Sequence, residues 1–527
     1  MQIEGEARSA LLCADFILLR YETEYTPCTG ITAVTKQERR HFPRSVMVAP
    51  WGSRMKEATA ALRSGLVRRA GSFTADDGKY RLLLTNDGRA PVLYLEREGR
   101  FQGTESPYHT PELKTDTLVF GLGVNSLLRA FASPRQFLWG ADWETVPALV
   151  RLRDRHHIAL TLHNTFDECL APETERFPGR YPELQARRDF HSQQTALEVV
   201  LNLADVVTTV NRGFAHGLRH EAIQRDLIAA HLRPYAHRIV PINNGSFTAL
   251  DEGLLELERL LTQDVAAGAE RLLLCKADAL ARLPADIAAK ARGKVLLVTM
   301  GRRVAQKQHD VLVESVRRLL RAEPQFPLLA FFATVAGDGG SAARLQRMQD
   351  LQEEFPRHVE VTDHRLPYYH DLMRAADFLC LPSLYEPHGG AYAGIVVPIA
   401  RAVDGLAEQI CAYEPDDTVR PINRLWHAYT EQPTGLLFRE TPGDDDLANL
   451  RELLEHSPSP PNPLFARMVQ ALERALCVAV RLRVKEFDTY VGLVRGTLTR
   501  QLRQSWLLNL GGMLSLIEEA RLRRPLG

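Results

Sequence analysis

Leu379-Cys380-Leu381-Pro382-Ser383-Leu384-Tyr385-Glu386-Pro387-His388-Gly389-Gly390-Ala391-Tyr392 is the stretch on which the reading of this chain turns. The apolar run Phe378 to Leu381 predicts a buried strand that stops at Pro382. The loop behind it carries one carboxylate, Glu386, between Tyr385 and Pro387. Gly389 and Gly390 then leave two backbone N–H groups uncovered by side chains, at what reads as a helix start. Such groups, helped by the helix dipole, bind phosphate or sugar oxygens. A carboxylate beside an anion cradle suits a ligand with both hydroxyls and phosphates, a nucleotide sugar. The same residues also spell a Pro-Gly turn with a solvated glutamate, so the rest of the chain has to decide.

Outward from this stretch, strands and helices alternate in the α/β manner. Val295 to Met300 reads as a strand, followed by Gly301-Arg302-Arg303-Val304-Ala305-Gln306-Lys307 and a helix from His309. Arg302 and Lys307, five apart at a strand's carboxyl end, can hold a diphosphate and neutralise the charge it gains on leaving. The competing reading is a basic surface loop, with Arg303 a sign of how cheap such residues are there. Gly337-Asp338-Gly339-Gly340 reads as a phosphate loop or an ordinary turn.

The first half repeats the pattern. Ala14 to Glu22, Ser45 to Ala49, Gln136 to Trp139, Ile158 to Leu162, Val206 to Val210 and Arg238 to Ile242 read as strands. Polar residues follow several of them: Asp142, His163-Asn164, Asn211 and Asn243-Asn244. That is the pattern of a parallel-sheet ligand cleft. His163 can bond a sugar hydroxyl or act as a general base, or be a satisfied core histidine. The Asp142 carboxylate can orient an acceptor hydroxyl. His156 and His157 read as helix-capping or solvated.

At 527 residues the chain is too long for one ordinary core. Lys plus Arg and Asp plus Glu are both 65, so global charge points to neither nucleic acid nor membrane. No apolar run approaches the ~20 residues of a membrane span. The seven cysteines are scattered without a C-x-x-C pair, which reads as reduced core thiols in a cytoplasmic protein.

Taken together, these residues resemble the glycogen and starch synthases, retaining glucosyltransferases of the GT-B fold, with two Rossmann-like domains facing a cleft. Pro382 to Gly389 is similar to that family's donor loop, and Arg302 with Lys307 to its diphosphate clamp. Ala141-Asp142-Trp143, Leu162-His163-Asn164, Asn244-Gly245 and Asp404-Gly405-Leu406 match further motifs in order.

The resemblance implies catalytic roles for Glu386, His163, Asp142, Arg302 and Lys307. Donor contacts would come from Arg302, Lys307, Gly389, Gly390 and Asn244. It implies glucose transfer from ADP-glucose or UDP-glucose to an α-1,4-glucan or another carbohydrate acceptor. No metal or other cofactor is expected, because the two cations supply the charge a metal otherwise would. It leaves the oligomeric state open, a homo-oligomer included.

The expected organisation is an acceptor-side domain to about residue 250 with a β-rich insertion near 65–110, and a helical connection over about 251–293. A nucleotide-sugar domain follows over about 294–480, then terminal helices over 481–527.

Three features depart from the family. The first loop reads Pro27-Cys28-Thr29-Gly30 where a lysine or neutral residue precedes Gly-Gly. The helix after Gly390 is short by about one turn. Gly394 stands where an acidic or tyrosine contact is usual. These departures keep two rivals open, a transferase with a different acceptor and a weakly active glucan-binding regulatory homologue.

Overall fold

The computed structural model describes residues 2–524 apart from 28–29, 43, 105, 109, 135, 186–191, 248–250, 338, 391–393 and 456–461. The chain divides into two compact units. Unit 1 comprises Met1–Val210, Ile228–Phe247 and Trp506–Gly527; unit 2 comprises Asn211–Leu227 and Thr248–Ser505.

Unit 1 is built on one ten-stranded sheet. Its strands are β1 (Gln2–Ile3), β2 (Phe16–Leu19), β3 (Ser45–Pro50), β4 (Val67–Ala75), β5 (Gly78–Thr85), β6 (Val92–Arg97), β7 (Phe137–Ala141), β8 (His157–Leu162), β9 (Val206–Thr209) and β10 (Ile239–Pro241). They lie in the order β1-β4-β5-β6-β3-β2-β7-β8-β9-β10. From β6 to β10 every pairing is parallel. β1, β4 and β5 add an antiparallel edge. The β-rich segment extends the main sheet, because β6 pairs in parallel with β3.

Unit 2 holds six strands, all parallel. They are β11 (Val295–Arg302), β12 (Leu328–Val335), β13 (Val359–Thr362), β14 (Phe378–Leu381), β15 (Val397–Arg401) and β16 (Leu436–Phe438), in the order β13-β12-β11-β14-β15-β16. Strands covered on both faces read as continuous apolar runs, and Phe378 to Leu381 is buried throughout.

The units differ from the boundaries expected from sequence. Residues 211–227 belong with the second half, because the helix Arg212–His220 packs on the helix Asp404–Gln409. The helices over 252–291 pack into unit 2 as well; Val265–Ala281 lies against Tyr369–Ala375. The last helix, Trp506–Arg523, belongs to unit 1: Met513, Ile517 and Ala520 join Phe16, Leu18, Phe137 and Trp139 in one core. The proline-rich run Ser457 to Pro463, which reads in the sequence as a helix break, falls mostly outside the described residues. Among the described residues no helix is long and apolar enough to cross a membrane.

Two buried ion pairs brace the sheets. In unit 1 Arg20, fully buried after β2, donates through Nε to Glu38 at 2.8 Å and through Nη1 to the Trp139 carbonyl at 2.7 Å. In unit 2 Arg401 of β15 grips Glu440 through Nε at 2.9 Å and through Nη2. Burial acts to raise the Glu440 carboxyl, but the Arg401 charge and its hydrogen bonds outweigh it and hold the group at about 2.

Glu38→Leu, which strands the Arg20 cation, is expected to lower the unfolding free energy by about 3–5 kcal/mol in urea titrations. The double variant Arg20→Met/Glu38→Leu should regain most of that loss. The folded Glu440 value lies below the ordinary 4.5, so its contribution is present above that pH and is lost as pH falls toward about 2. Between those limits the wild type should lose on the order of 3 kcal/mol more stability than Glu440→Gln.

Candidate functional site

In unit 2 the order β13-β12-β11-β14-β15-β16 places β11 and β14 side by side. From β11 the chain crosses toward one edge and from β14 toward the other, so a crevice opens beyond their carboxyl ends. The two loops singled out in the sequence are the ones that leave those ends.

After Arg302 a single 3-10 turn, Ala305–Lys307, reverses the chain, and Gln308 takes a left-handed φ of +47° before the helix His309–Ala322 begins. The reversal brings Lys307 back to the strand end. Its Nζ forms an ion pair with the Glu386 carboxylate, whose side chain is only 8% exposed. Ser383 Oγ donates to the same carboxylate oxygen at 3.1 Å. The loops are stitched together by Leu384 N to the Gln306 carbonyl at 2.8 Å and Gln306 Nε2 to the Tyr385 carbonyl at 3.1 Å.

Among the described residues the Arg302 guanidinium makes no ion pair; it lies close enough to Tyr385 to oppose the rise of that phenol's pKa, which burial drives. His309, buried behind Lys307, is pushed down to about 3 by burial and then by the lysine charge, so its ring is neutral near pH 7.

The glycines behave differently from the expectation. Gly389 and Gly390 have φ of +81° and +54° and form a turn, not the first turn of a helix. A Cβ at Gly389 would stand 2.5 Å from Leu406 Cδ2 and 2.7 Å from Glu386 Cγ, so only glycine lets the loop close over the glutamate. The Gly390 amide is already used, donating to His388 Nδ1 at 3.3 Å. Residues 391–393, on which the short-helix departure rests, lie outside the described residues, as do Cys28 and Thr29 of the first loop and Asp338 of the Gly337–Gly340 loop. Arg303 is not a cheap surface residue. It is buried, and donates to Ser341 Oγ at 3.1 Å and Thr334 Oγ1 at 3.0 Å.

In unit 1 the same topology recurs, with β2 and β7 adjacent and their connections diverging. Asp142 follows β7 with φ +55° and ψ −179°, a backbone region that is almost exclusively glycine's. Its Oδ1 accepts from the His163 amide at 2.7 Å, at the end of the neighbouring β8. Asp142 Oδ2 and His163 Nδ1 stand 3.6 Å apart, beyond hydrogen-bond reach, and neither atom has a hydrogen-bond partner among the described residues.

Beside them Glu144 is buried; burial first, then the Asp142 charge, raises its carboxyl well above the ordinary range. Asn244 donates its amide to the Val210 carbonyl at 3.0 Å and, with His163, Trp139 and Trp506, lines a cavity of about 10 Å³, room for about one water. His156 and His157 are neither solvated nor helix caps: His156 Nδ1 meets the Gln136 carbonyl at 3.0 Å and His157 stacks on Phe137 at 5.8 Å. Of the described cysteines Cys380 and Cys411 are buried, while Cys13 and Cys477 are exposed, so the thiols are not all core.

The structure therefore brings Arg302, Lys307, Glu386 and Gly389 together in one unit, and Asp142, His163 and Asn244 in the other. Sequence reasoning missed Ser383, Gln306, Asp404 and Gln224 as supports of the Glu386 loop, and Glu144 beside Asp142. Asp404 Oδ2 accepts from the Glu386 amide at 2.9 Å and also from Gln224 Nε2. Ser383 and Gln306 sat inside the quoted loops and Asp404 inside a quoted motif. For Gln224 there was no local signal.

Known proteins resemble this chain in sequence and in fold. A family model described as "Glycosyl transferases group 1" matches residues 294–409. A glycogen synthase of Koribacter versatilis is 26% identical over 339 residues, 60% of this chain and 63% of that protein. One of Thioalkalivibrio sulfidiphilus is 26% identical over 381 residues, 67% of this chain and 72% of that protein. The chain thus spans just under two thirds of the length of the first relative and somewhat more of the second. Among solved structures, the catalytic domain of starch synthase IV from Arabidopsis thaliana, bound to ADP and acarbose, superposes with a TM-score of 0.66 at 16% identity, covering 97% of this chain and 99% of that one. Motif order, relatives and fold converge: the chain is a glycosyltransferase of the GT-B fold, similar in sequence to the glycogen synthases and in fold to starch synthase IV.

Proposed function

We propose that the protein transfers glucose from a nucleotide-glucose donor, ADP-glucose or UDP-glucose, to the non-reducing end of an α-1,4-glucan with retention of the α configuration. The observation that carries this reading is the Lys307–Glu386 ion pair at the carboxyl ends of β11 and β14, with Arg302 beside it. A departing nucleoside diphosphate gains negative charge, and preorganised cations stabilise that charge where it develops. Arg302 and Lys307 take this part, the one a divalent cation plays in other nucleotide-sugar enzymes. Glu386 faces the hydroxyls of the transferred glucose, and the Gly389 turn lets the loop close over them.

His163 positions the sugar near its reacting carbon, and Asp142 serves the acceptor. The Asp142 backbone strain is consistent with such a role, since strained residues persist where the site needs their side chain. Asn244, supported on unit 1, is assigned a supporting contact. A second reading, transfer to a smaller acceptor, is favoured by one feature of the chain: the first loop lacks the family's lysine and reads Pro27-Cys28-Thr29-Gly30.

Radiolabelled transfer from each nucleotide sugar to glycogen and to short oligosaccharides tests the proposal. Label on glycogen supports it; label on short acceptors alone selects the second reading; nucleotide-sugar turnover absent on all acceptors while glucan binding persists would show a regulatory homologue instead. Arg302→Ala and Lys307→Ala should each lower kcat by about 10²–10³-fold and weaken ADP and UDP binding in calorimetry. Glu386→Ala should cost turnover of similar size with nucleotide affinity nearly intact.

A further inference from the structure

We infer that Asp404 is a positioning residue for the donor loop, fixing the backbone of Glu386 so that its carboxylate meets the transferred sugar. The inference rests on the reading of Glu386 given above and adds a residue that acts through it. Glu386 is held at both of its backbone groups by two consecutive residues. Its amide donates to Asp404 Oδ2 at 2.9 Å, and its carbonyl accepts from the Gly405 amide at 3.1 Å. Gln224 Nε2 donates to the same Asp404 oxygen and keeps the carboxyl from rotating away.

Asp404 is costly in every other respect. It is 3% exposed, and among the described residues no lysine or arginine pairs with it. Its φ of +39° lies in the left-handed region, which glycine adopts without steric penalty and aspartate does not. The surroundings are cut to admit it: Gly213 and Gly217, four apart on one face of the helix Arg212–His220, leave a recess. A Cβ at Gly217 would overlap Asp404 Oδ1, and one at Gly213 the Asp404 carbonyl. The backbone here favours glycine, so what aspartate contributes is its carboxyl group, and that group's bonds run to Glu386 and Gln224.

The test compares Asp404→Gly and Asp404→Asn with wild type and with Glu386→Ala, all in the full chain. Glycine suits the backbone, so Asp404→Gly should fold with an unchanged or higher Tm and bind ADP or UDP as the wild type does. Its kcat should nevertheless fall by about 10- to 100-fold, since a misaimed group loses rate rather than binding. Asp404→Asn keeps an oxygen for the Glu386 amide and should restore most of the rate. Hydrogen exchange over residues 383–388 reads the same tether without turnover, and should be faster in Asp404→Gly but not in Asp404→Asn.

Wild-type kcat and wild-type exchange in Asp404→Gly would overturn the inference. So would equal damage in Asp404→Asn and Asp404→Gly, which would mark a merely structural site. If Glu386→Ala alone keeps full turnover, the role assigned to Glu386 fails, and this inference with it. If Glu386→Ala is inactive and Asp404→Gly is not, only the tether is wrong.

Discussion

Two parallel strands that lie side by side while their connections leave in opposite directions cannot roof the space beyond their ends. Most of the candidate site in unit 2 follows from that constraint at β11 and β14. The loops leaving them face each other across the gap, and each brings one charge to it: Lys307 from the first, Glu386 from the second. Unit 1 meets the same constraint at β2 and β7, and there it sets the buried Asp142, whose carboxylate accepts from the amide of His163 at the end of the next strand. Chemistry at these places is a property of the topology first and of the particular residues second.

A carboxylate as enclosed as Glu386 cannot stand without compensation, because desolvation disfavours the charged form. Lys307 and Ser383 compensate it directly. Asp404, a second buried carboxyl, is held differently. Burial drives it well above the ordinary range, reinforced by Glu221 and Glu386, while the Glu386 amide and Gln224 pull it back. Two acids thus meet at one loop, one paired with a cation and one surrounded by neutral donors. Such divergent environments give like groups different duties.

Much of this was legible in the sequence because it is local. Buried parallel strands announce themselves as apolar runs, and the loops after them carry their polar residues within a few positions, as with Arg302, Lys307, Asp142 and His163. What was not legible is what depends on long-range contact. Gln224 lies 180 residues before Asp404, and nothing near it in sequence marks the hydrogen bond. The last helix joins the core of unit 1 through Met513, Ile517 and Ala520, a return that an amphipathic pattern cannot address to one sheet rather than another. Arg303 misled for a related reason. It stands in sequence beside Arg302 and near Lys307, both only half-buried, and the hydroxyls of Ser341 and Thr334 to which it donates come from other elements. Gly389 and Gly390 misled because a glycine pair fits a helix start and a left-handed turn equally well until the backbone around it is fixed.

The pairing of Lys307 with Glu386 also bears on how one lysine can serve two partners. An ammonium group carries three N–H donors in tetrahedral array, whereas a guanidinium offers a planar fork. A lysine already bound to a carboxylate therefore keeps donors for a phosphate oxygen on another side, which a bidentate arginine does less well. Arg302, with no ion pair among the described residues, is the better shaped of the two for a planar grip on phosphate oxygens. On the proposed reading the two cations are not duplicates. Arg302 serves the diphosphate alone, and Lys307 links the leaving group to the carboxylate that meets the sugar, which is why a lysine and not a second arginine suits position 307.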